Sequence, residues 1–482
     1  MPRKTTGKMP VLRWRCVVAM MFEGMDSGPY DKAERSARKA YELYEDGKMA
    51  QALAALEQAI EVNPTNSAWH FNKGLTLDAI SRFDEAIAEY DLALQLSPND
   101  LEILNALAVD YTRTGLYDRA LNTFEYVEQL DSAFEPCYCN RIITYAEMGQ
   151  HDLAEQMFYL AQQIDEECPL CYYNIGNSLF ARGQYKKAVR CWMRTAELEP
   201  THPQINYRIA QAYWSDGDRA KAREHFLAEL RVNPGDAETI MDFALFLLET
   251  GDLDSAKEKF NRLLEMDPDF APALLYLGEI VLDQGDHNRA AELFDEALKK
   301  DPALAGPHFR LAQCALIDQQ KDTARKHLLA ELDREIENAN TLVSMASMFL
   351  TVDDADHASQ CLLRAVGMDM RSTDAYYYLG VSAANKGQFD DAERFFTRAL
   401  ELDRDHLGAL RDSAFTYLAA NQAPKATARI ARARALQPDD CELRMLDYSV
   451  RLILLLSRLT RHATRLDPRP VIRRLCRRLR RR

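Results

Sequence analysis

The chain has 482 residues, 47% of them hydrophobic and 9% aromatic, a composition that excludes intrinsic disorder and accommodates either two to four globular domains or one elongated array. Its net charge of −14 is unevenly spread: residues 458–482 hold eleven arginines against Asp467 alone, a local +10 that leaves −24 on the rest, so the body of the chain repels a polyanion. Ten scattered cysteines point to a reducing compartment and buried thiols rather than a disulfide framework, and no run of 18 or more apolar residues is present to cross a bilayer.

In chain order, residues 1–32 read as an N-terminal tail. Arg3, Lys4, Lys8, Arg13 and Arg15 precede a short apolar stretch that breaks at Glu23, too short for a secretory signal. Met9, Met20, Met21 and Met25 follow closely and predict a translation start downstream, with the first two dozen residues spurious.

From residue 33 to residue 440 one pattern recurs every 34 residues without insertion or deletion, with units beginning at Ala33, Ser67, Leu101, Glu135, Pro169, Pro203, Ala237, Ala271, Ala305, Ala339, Thr373 and Leu407. The twentieth position of every unit is alanine, from Ala52 to Ala426, and the eighth is Gly or Ala in all but one, Ile142 being the exception. The twenty-fourth position is always large and apolar, as in Tyr90, Phe124, Trp192 and Phe396. Small residues against a large one let two helices approach closely, and this predicts a helical hairpin in each unit. The fifteenth position is mostly glycine, suited to the left-handed residue that ends a helix, and Pro64, Pro98, Pro200, Pro234, Pro268, Pro302 and Pro438 mark the stop of the second helix. Units nine and ten depart most: Gln319 and Asp353 replace the glycine, and Ile336 and Met370 replace the proline. A softer joint is expected there, visible as faster hydrogen exchange over residues 305–372.

This pattern closely resembles the tetratricopeptide repeat family, and Tyr172-Tyr173-Asn174-Ile175-Gly176-Asn177-Ser178-Leu179 is nearly the family's idealised first helix. The resemblance covers residues 33–440. It implies an all-α fold, an α-solenoid of about twelve antiparallel helix pairs forming a right-handed superhelix, with first helices lining a concave groove that holds a protein or peptide. Positions 2, 5, 9 and 12 of each first helix, with 6 and 13 beside them, are expected to face that groove. The residues predicted to contact a partner are Asn140, Tyr173, Asn174, Asn177, Phe180, Tyr207, Arg208, Gln211, Trp214, Phe309, Arg310 and Tyr377, aromatics and arginine in a cleft being a typical hot-spot composition. The alternative is that these aromatics serve packing between neighbouring units, as the family's own consensus residues do.

Two family subtypes are testable residue by residue. Position 5 is never lysine, so the carboxylate clamp of chaperone-tail binders is absent. Asn72, Asn140 and Asn174 at position 6 resemble the superhelix of the O-linked sugar transferase, but Ala106 and Arg208 interrupt that ladder.

Chemistry finds little support. Cys137, Cys139, Cys168 and Cys171 make a C-x-C and a C-x-x-C in adjoining units, a set of four thiolates of the kind zinc takes. Cys137 and Cys171 also occupy the third position, where Ala273, Ala375 and Ala409 recur, and free cysteine packs well there; the packing reading is preferred and no metal is assigned. The S-x-x-K string from Ser36 to Lys39 lacks companion motifs. No cofactor and no catalysis are expected.

Residues 441–466 are expected to continue as a helix that caps the stack, with Leu446, Val450, Ile453, Leu454 and Leu456 as its apolar side. Residues 467–482 follow as a basic amphipathic tail in which Arg473, Arg474, Arg477, Arg478 and Arg480 offer a surface contact to an anionic membrane, to nucleic acid or to the acidic body. Vesicle co-sedimentation of the full chain against residues 1–466 separates these. The leading expectation is a non-catalytic cytoplasmic scaffold, peripheral at the inner membrane surface if the tail binds lipid; the rivals are a regulator that binds nucleic acid through its tail and an accessory subunit of a separate enzyme.

Overall fold

The computed structural model describes residues 29–460 apart from 335, 337 and 421. The expectations for residues 1–25 and for the arginine tail fall outside the described residues. Among the described residues there are 25 helices and no strand, and the chain divides into two compact units between Thr250 and Gly251.

Unit one begins with the hairpins α1 (Pro29–Glu45) and α2 (Met49–Val62), α3 (Ser67–Ala79) and α4 (Phe83–Leu96), and α5 (Leu101–Arg113) and α6 (Tyr117–Leu130). It continues with α7 (Glu135–Glu147) and α8 (His151–Ile164), α9 (Pro169–Ala181) and α10 (Tyr185–Leu198), α11 (Ile205–Asp216) and α12 (Arg219–Val232), and ends in α13 (Ala237–Thr250). Unit two opens on α14 (Leu253–Met266), then α15 (Ala271–Asp283) and α16 (His287–Lys300), and α17 (Pro307–Ile317) and α18 (Lys321–Leu332). It continues with α19 (Ala339–Thr351) and α20 (Ala355–Met368), α21 (Thr373–Asn385) and α22 (Phe389–Leu402), α23 (Leu407–Ala419) and α24 (Ala423–Leu436), and α25 (Cys441–Thr460).

Within each unit the hairpins are closed by the size rule read from the repeat. All twelve alanines at the twentieth position are fully buried, and the large residue four places on is buried as well, in hairpins as different as Leu56, Trp192 and Ile430. Where that residue is largest its opposite number shrinks to glycine: Gly74 lies under Tyr90 and Gly176 under Trp192, so close that an added Cβ would sit 2.3 Å and 2.5 Å from the ring. Successive first helices then adjoin one another, as α5 with α7, α7 with α9, and α19 with α21. The two units are thus each an α-solenoid of stacked hairpins. On α25, Leu443, Leu446 and Val450 are buried, and α25 packs on α24.

The turn inside each hairpin needs one left-handed residue, which glycine supplies at Gly47, Gly115, Gly149 and five further hairpins. Ser81, Gln319 and Asp353 adopt the same geometry without glycine, at φ of 62°, 60° and 61°. They close the same pair of backbone bonds: Gln320 N donates to Ala315 O (2.8 Å) and Gln319 N to Leu316 O (3.1 Å), as Gln150 N does to Tyr145 O and Gly149 N to Ala146 O. The bond pattern therefore sets the conformation, and the side chain bears the strain. Gln319→Gly is expected to stabilise its hairpin by about 0.5–1 kcal/mol, the left-handed penalty less the extra freedom of unfolded glycine. Slower amide exchange across α17 and α18 would show it; unchanged or faster exchange would mean the turn is relaxed as it stands.

Two first helices start late. In hairpins six and nine a left-handed residue, Gln204 (φ 59°) or Gly306 (φ 105°), delays the helix until Ile205 and Pro307. In both, the twenty-seventh position carries a buried glutamate, where alanine recurs in most other hairpins. Glu331 Oε1 accepts from Gly306 N at 2.7 Å, and Glu229 Oε2 accepts from Tyr207 N at 3.3 Å. A carboxylate placed against the opening N–H groups satisfies donors that the helix itself leaves free and favours the positive end of its dipole.

One buried charge sets a pH dependence. Asp110 on α5 is 1% exposed; Arg113 Nη1 lies 3.4 Å from its Oδ1 but also pairs with Asp78, and its Oδ2 has no hydrogen-bond partner among the described residues. Burial pushes its carboxyl up to about 8. The folded chain therefore holds this proton more tightly than the unfolded chain, so the group's contribution to stability is full below its ordinary value of 3.8 and is lost as pH rises through about 8. Asp110→Asn is expected to raise the melting temperature above that pH and to leave it nearly unchanged near pH 4. An equal gain at both pH values would show that folding leaves the proton affinity of this carboxyl unchanged.

Candidate functional site

The first helices of unit one meet through a repeated bond. Position 5 of one first helix faces position 6 of the next, a separation of 35 residues: Asn140 Nδ2 donates to Asn105 Oδ1 (3.1 Å), Asn174 Nδ2 to Cys139 Sγ (3.4 Å), and Tyr207 OH to Asp242 Oδ2 (2.8 Å). Unit two repeats it where Tyr377 OH donates to Asp412 Oδ2 at 2.8 Å. Position 12 does the same with position 13 at Trp214, whose Nε1 donates to Glu249 Oε2 at 2.7 Å.

These rungs place the predicted contact residues at different depths. Asn140, Tyr173, Asn174 and Tyr207 are buried, with exposures of 1–5%. Tyr173 stacks on His202 at 4.5 Å, and proximity to Asp242 adds to burial in holding the Tyr207 hydroxyl well above its ordinary range. Asn177 and Phe180 on α9, and Arg208, Gln211 and Trp214 on α11, are half-buried. Gln211 Nε2 donates to Tyr207 Oη (2.7 Å) and Asp242 Oδ2 (2.9 Å), while its Oε1 accepts from Arg208 Nη1 (3.2 Å). The Arg208 guanidinium sits 5.6 Å from the Tyr207 ring centre, and its Nε has no hydrogen-bond partner among the described residues. The Trp214 ring packs edge-on to Phe226 and Phe246, at 6.2 Å and 5.8 Å. In unit two, Arg310 is engaged by Glu279 (2.6 Å) and Gln313 (3.0 Å) beside Phe309, and Tyr377 by Asp412.

The four cysteines of hairpins four and five do not act as one set. Cys137 turns away, its thiol donating to Phe124 O at 3.2 Å. Its place is taken by Glu135: one ligand atom each from Glu135, Cys139, Cys168 and Cys171 lie within 4.8 Å of one another, with all three cysteines buried. Cys171 Sγ donates to Glu135 Oε1 at 2.8 Å, and Cys168 Sγ accepts from Cys171 N at 3.3 Å. A hydrogen bond from the Cys139 thiol, with the Cys171 backbone N–H beside it, holds the Cys168 thiol low, and burial pushes the Glu135 carboxyl up to about 8.

Further apolar surface lies on second helices, where Leu92 and Leu96 on α4, Tyr126 and Leu130 on α6, and Tyr159 on α8 are exposed. No groove-facing rule points to them; their signal is recurrence at positions 25, 26 and 30 of the repeat.

Hairpins of constant length, closed by small-on-large contacts and stacked through their first helices, define a helical-repeat solenoid. The chain belongs to the tetratricopeptide repeat family: its model matches residues 37–100 and 173–237. Models of the cilia and flagella-associated protein 70 middle TPR-like domain and C-terminal domain match residues 207–305 and 271–459. Among curated proteins, the chain is similar to the inactive TPR repeat-containing thioredoxin TTL3 of Arabidopsis thaliana, 29% identical over 90 residues, which are 19% of this chain and 13% of that protein. The chain thus matches only about an eighth of that relative's length. Solved structures with a similar arrangement include YrrB, a TPR protein with an unusual peptide-binding site (22% identity, 40% of this chain and 97% of that one, TM-score 0.36). Others are the APC/C hetero-tetramer Cut9-Hcn1 (13%, 87% and 96%, 0.41) and yeast Tom70 (14%, 90% and 97%, 0.37). No helix among the described residues is long and apolar enough to cross a membrane.

Proposed function

We propose that this chain is a non-catalytic scaffold that holds an extended peptide or a helix against the first-helix face of unit one, centred on α9 and α11. The observation that carries the reading is the series Arg208, Gln211 and Trp214 at every third residue of α11, all three half-buried, with Arg208 bonded to Gln211. A guanidinium and an aromatic ring carried on one helix suit a segment that brings both an apolar side chain and a carbonyl or carboxylate oxygen. Asn177, with no side-chain hydrogen bond among the described residues, and the half-buried Phe180 extend the surface along α9. Tyr207, Asn174 and Gln211 act beneath it by fixing the helices that present it. Trp214→Ala combined with Arg208→Ala in the tagged full chain is expected to lower partner recovery at least about ten-fold, the scale of two hot-spot truncations, with an unchanged circular dichroism spectrum. Equal recovery from the folded double variant would sink this surface.

The match of ciliary models to residues 207–459 supports cilia or flagella as the place where the scaffold works. The tagged full chain is expected to concentrate there in a ciliated cell; a signal confined to the cell body would overturn that placement.

A further inference from the structure

We propose that Glu135, Cys139, Cys168 and Cys171 form a structural binding site for a zinc-type divalent ion that clamps hairpin four to hairpin five. The site rests on geometry. Glu135 and Cys139 are four residues apart on α7, so the helix brings them to one face, whereas Cys137 falls about 200° away around the same helix. Cys168 precedes α9 as its N-cap, and Cys171 lies in its first turn. Four donors from two hairpins thus converge, and their ligand atoms are already within 4.8 Å of one another. Tetrahedral zinc with Zn–S bonds near 2.3 Å holds its sulfurs roughly 3.8 Å apart, so closure needs movements of about 1 Å or less.

The surroundings suit bound thiolates. Asn174, 2% exposed, donates its side-chain N–H to Cys139 Sγ at 3.4 Å, and the Cys171 backbone N–H donates to Cys168 Sγ at 3.3 Å. Such N–H to sulfur bonds orient metal-bound cysteines and offset their charge. The positive ends of α7 and α9 both open at the cluster, near Glu135 and Cys168. In four other hairpins the residue at the place of Cys168 caps its helix through an oxygen, from Asn66, Asp100, Asn338 and Ser372, while Phe134 and Phe270 give no side-chain cap and His406 caps through nitrogen, so the place does not call for sulfur. Three soft sulfurs, one carboxylate and no open fourth position describe a closed structural site rather than a catalytic one.

The test is metal content and cobalt spectroscopy on the reduced full chain. Protein made in zinc-supplemented medium is expected to retain about one zinc ion per chain through dialysis, and Co2+ in its place is expected to show intense thiolate-to-cobalt charge-transfer absorption. Cys168→Ser and Cys171→Ser are expected to lose the ion, Glu135→Gln to weaken it by about 10–100-fold, and Cys137→Ser to keep it. Less than one-tenth of an ion per chain together with no cobalt absorption in the folded wild type overturns the site. So does loss of the ion from Cys137→Ser with retention in Glu135→Gln, which would restore the four-cysteine set. Should a serine variant fail to fold, the wild-type cobalt spectrum still decides, because three thiolates must appear in it.

Discussion

Tyr207→Ala is expected to destabilise unit one by about 3–5 kcal/mol, the loss of a buried aromatic together with the cavity it leaves. The side chain is 1% exposed, its ring lies 6.4 Å from that of Phe226, and its hydroxyl bonds Asp242 at 2.8 Å while accepting from Gln211. Truncation removes the ring and one of the donors on Asp242 together. Tyr207→Phe should lose only about 0.5–1.5 kcal/mol, because Gln211 Nε2 still serves Asp242 at 2.9 Å. Urea unfolding of the full chain, followed by hydrogen exchange across α11 to α13, separates the two. A Tyr207→Ala chain within about 1 kcal/mol of wild type would mean that the rung between α11 and α13 carries little of the fold. The expected result also decides how binding experiments are read: loss of a partner from a Tyr207→Ala chain reports unfolding, whereas loss from a Trp214 variant reports the surface.

The contrast shows what one sequence can and cannot reveal. The phase of the repeat was legible because burial is demanded of Ala52 and its eleven counterparts whatever the neighbours do, and a residue buried within its own hairpin leaves a local signature. Depth along the first helices was not. Whether position 5 faces a ligand or the next hairpin depends on the rotation between hairpins, and the 35-residue rungs from Asn105 to Asn140 and from Tyr207 to Asp242 appear only once that rotation is fixed. The thiol cluster was half legible: the cysteine spacing announced a meeting of hairpins four and five, but counting only sulfur included Cys137 and missed Glu135, although helical spacing pairs Glu135 with Cys139. The late helix starts had a signal too, in Glu229 and Glu331 standing where alanine recurs. A single glutamate per hairpin looks like surface charge until its carboxylate is seen against the amides of the preceding helix.

Gly176→Ala should lower stability by about 1–3 kcal/mol, although alanine is the better helix former by about 1 kcal/mol. The new methyl group would lie 2.5 Å from Trp192 Nε1 and 2.7 Å from Cδ1, and the indole has no easy retreat: it is 1% exposed and its Nε1 donates to Tyr173 O at 3.2 Å. Moving it adds a strained core and a weakened hydrogen bond, and together these exceed the propensity gain. The same substitution at Gly278 or Gly380 meets Phe294 or Phe396 at 2.5 Å and 2.6 Å, yet there it should be nearly neutral. Alanine above phenylalanine is what Ala108 with Phe124 and Ala210 with Phe226 already present, with Phe124, Phe226 and both alanines fully buried, so a phenyl ring can settle beneath a methyl group where an indole tied to a carbonyl cannot. Trp192→Phe should therefore rescue Gly176→Ala, and a double-mutant cycle should return a favourable coupling of about 1–2 kcal/mol between the two positions. Additive losses would show that the methyl group is opposed by something other than the indole, and the rule that pairs glycine with the bulkiest ring would fail at the hairpin where it is most severely tested.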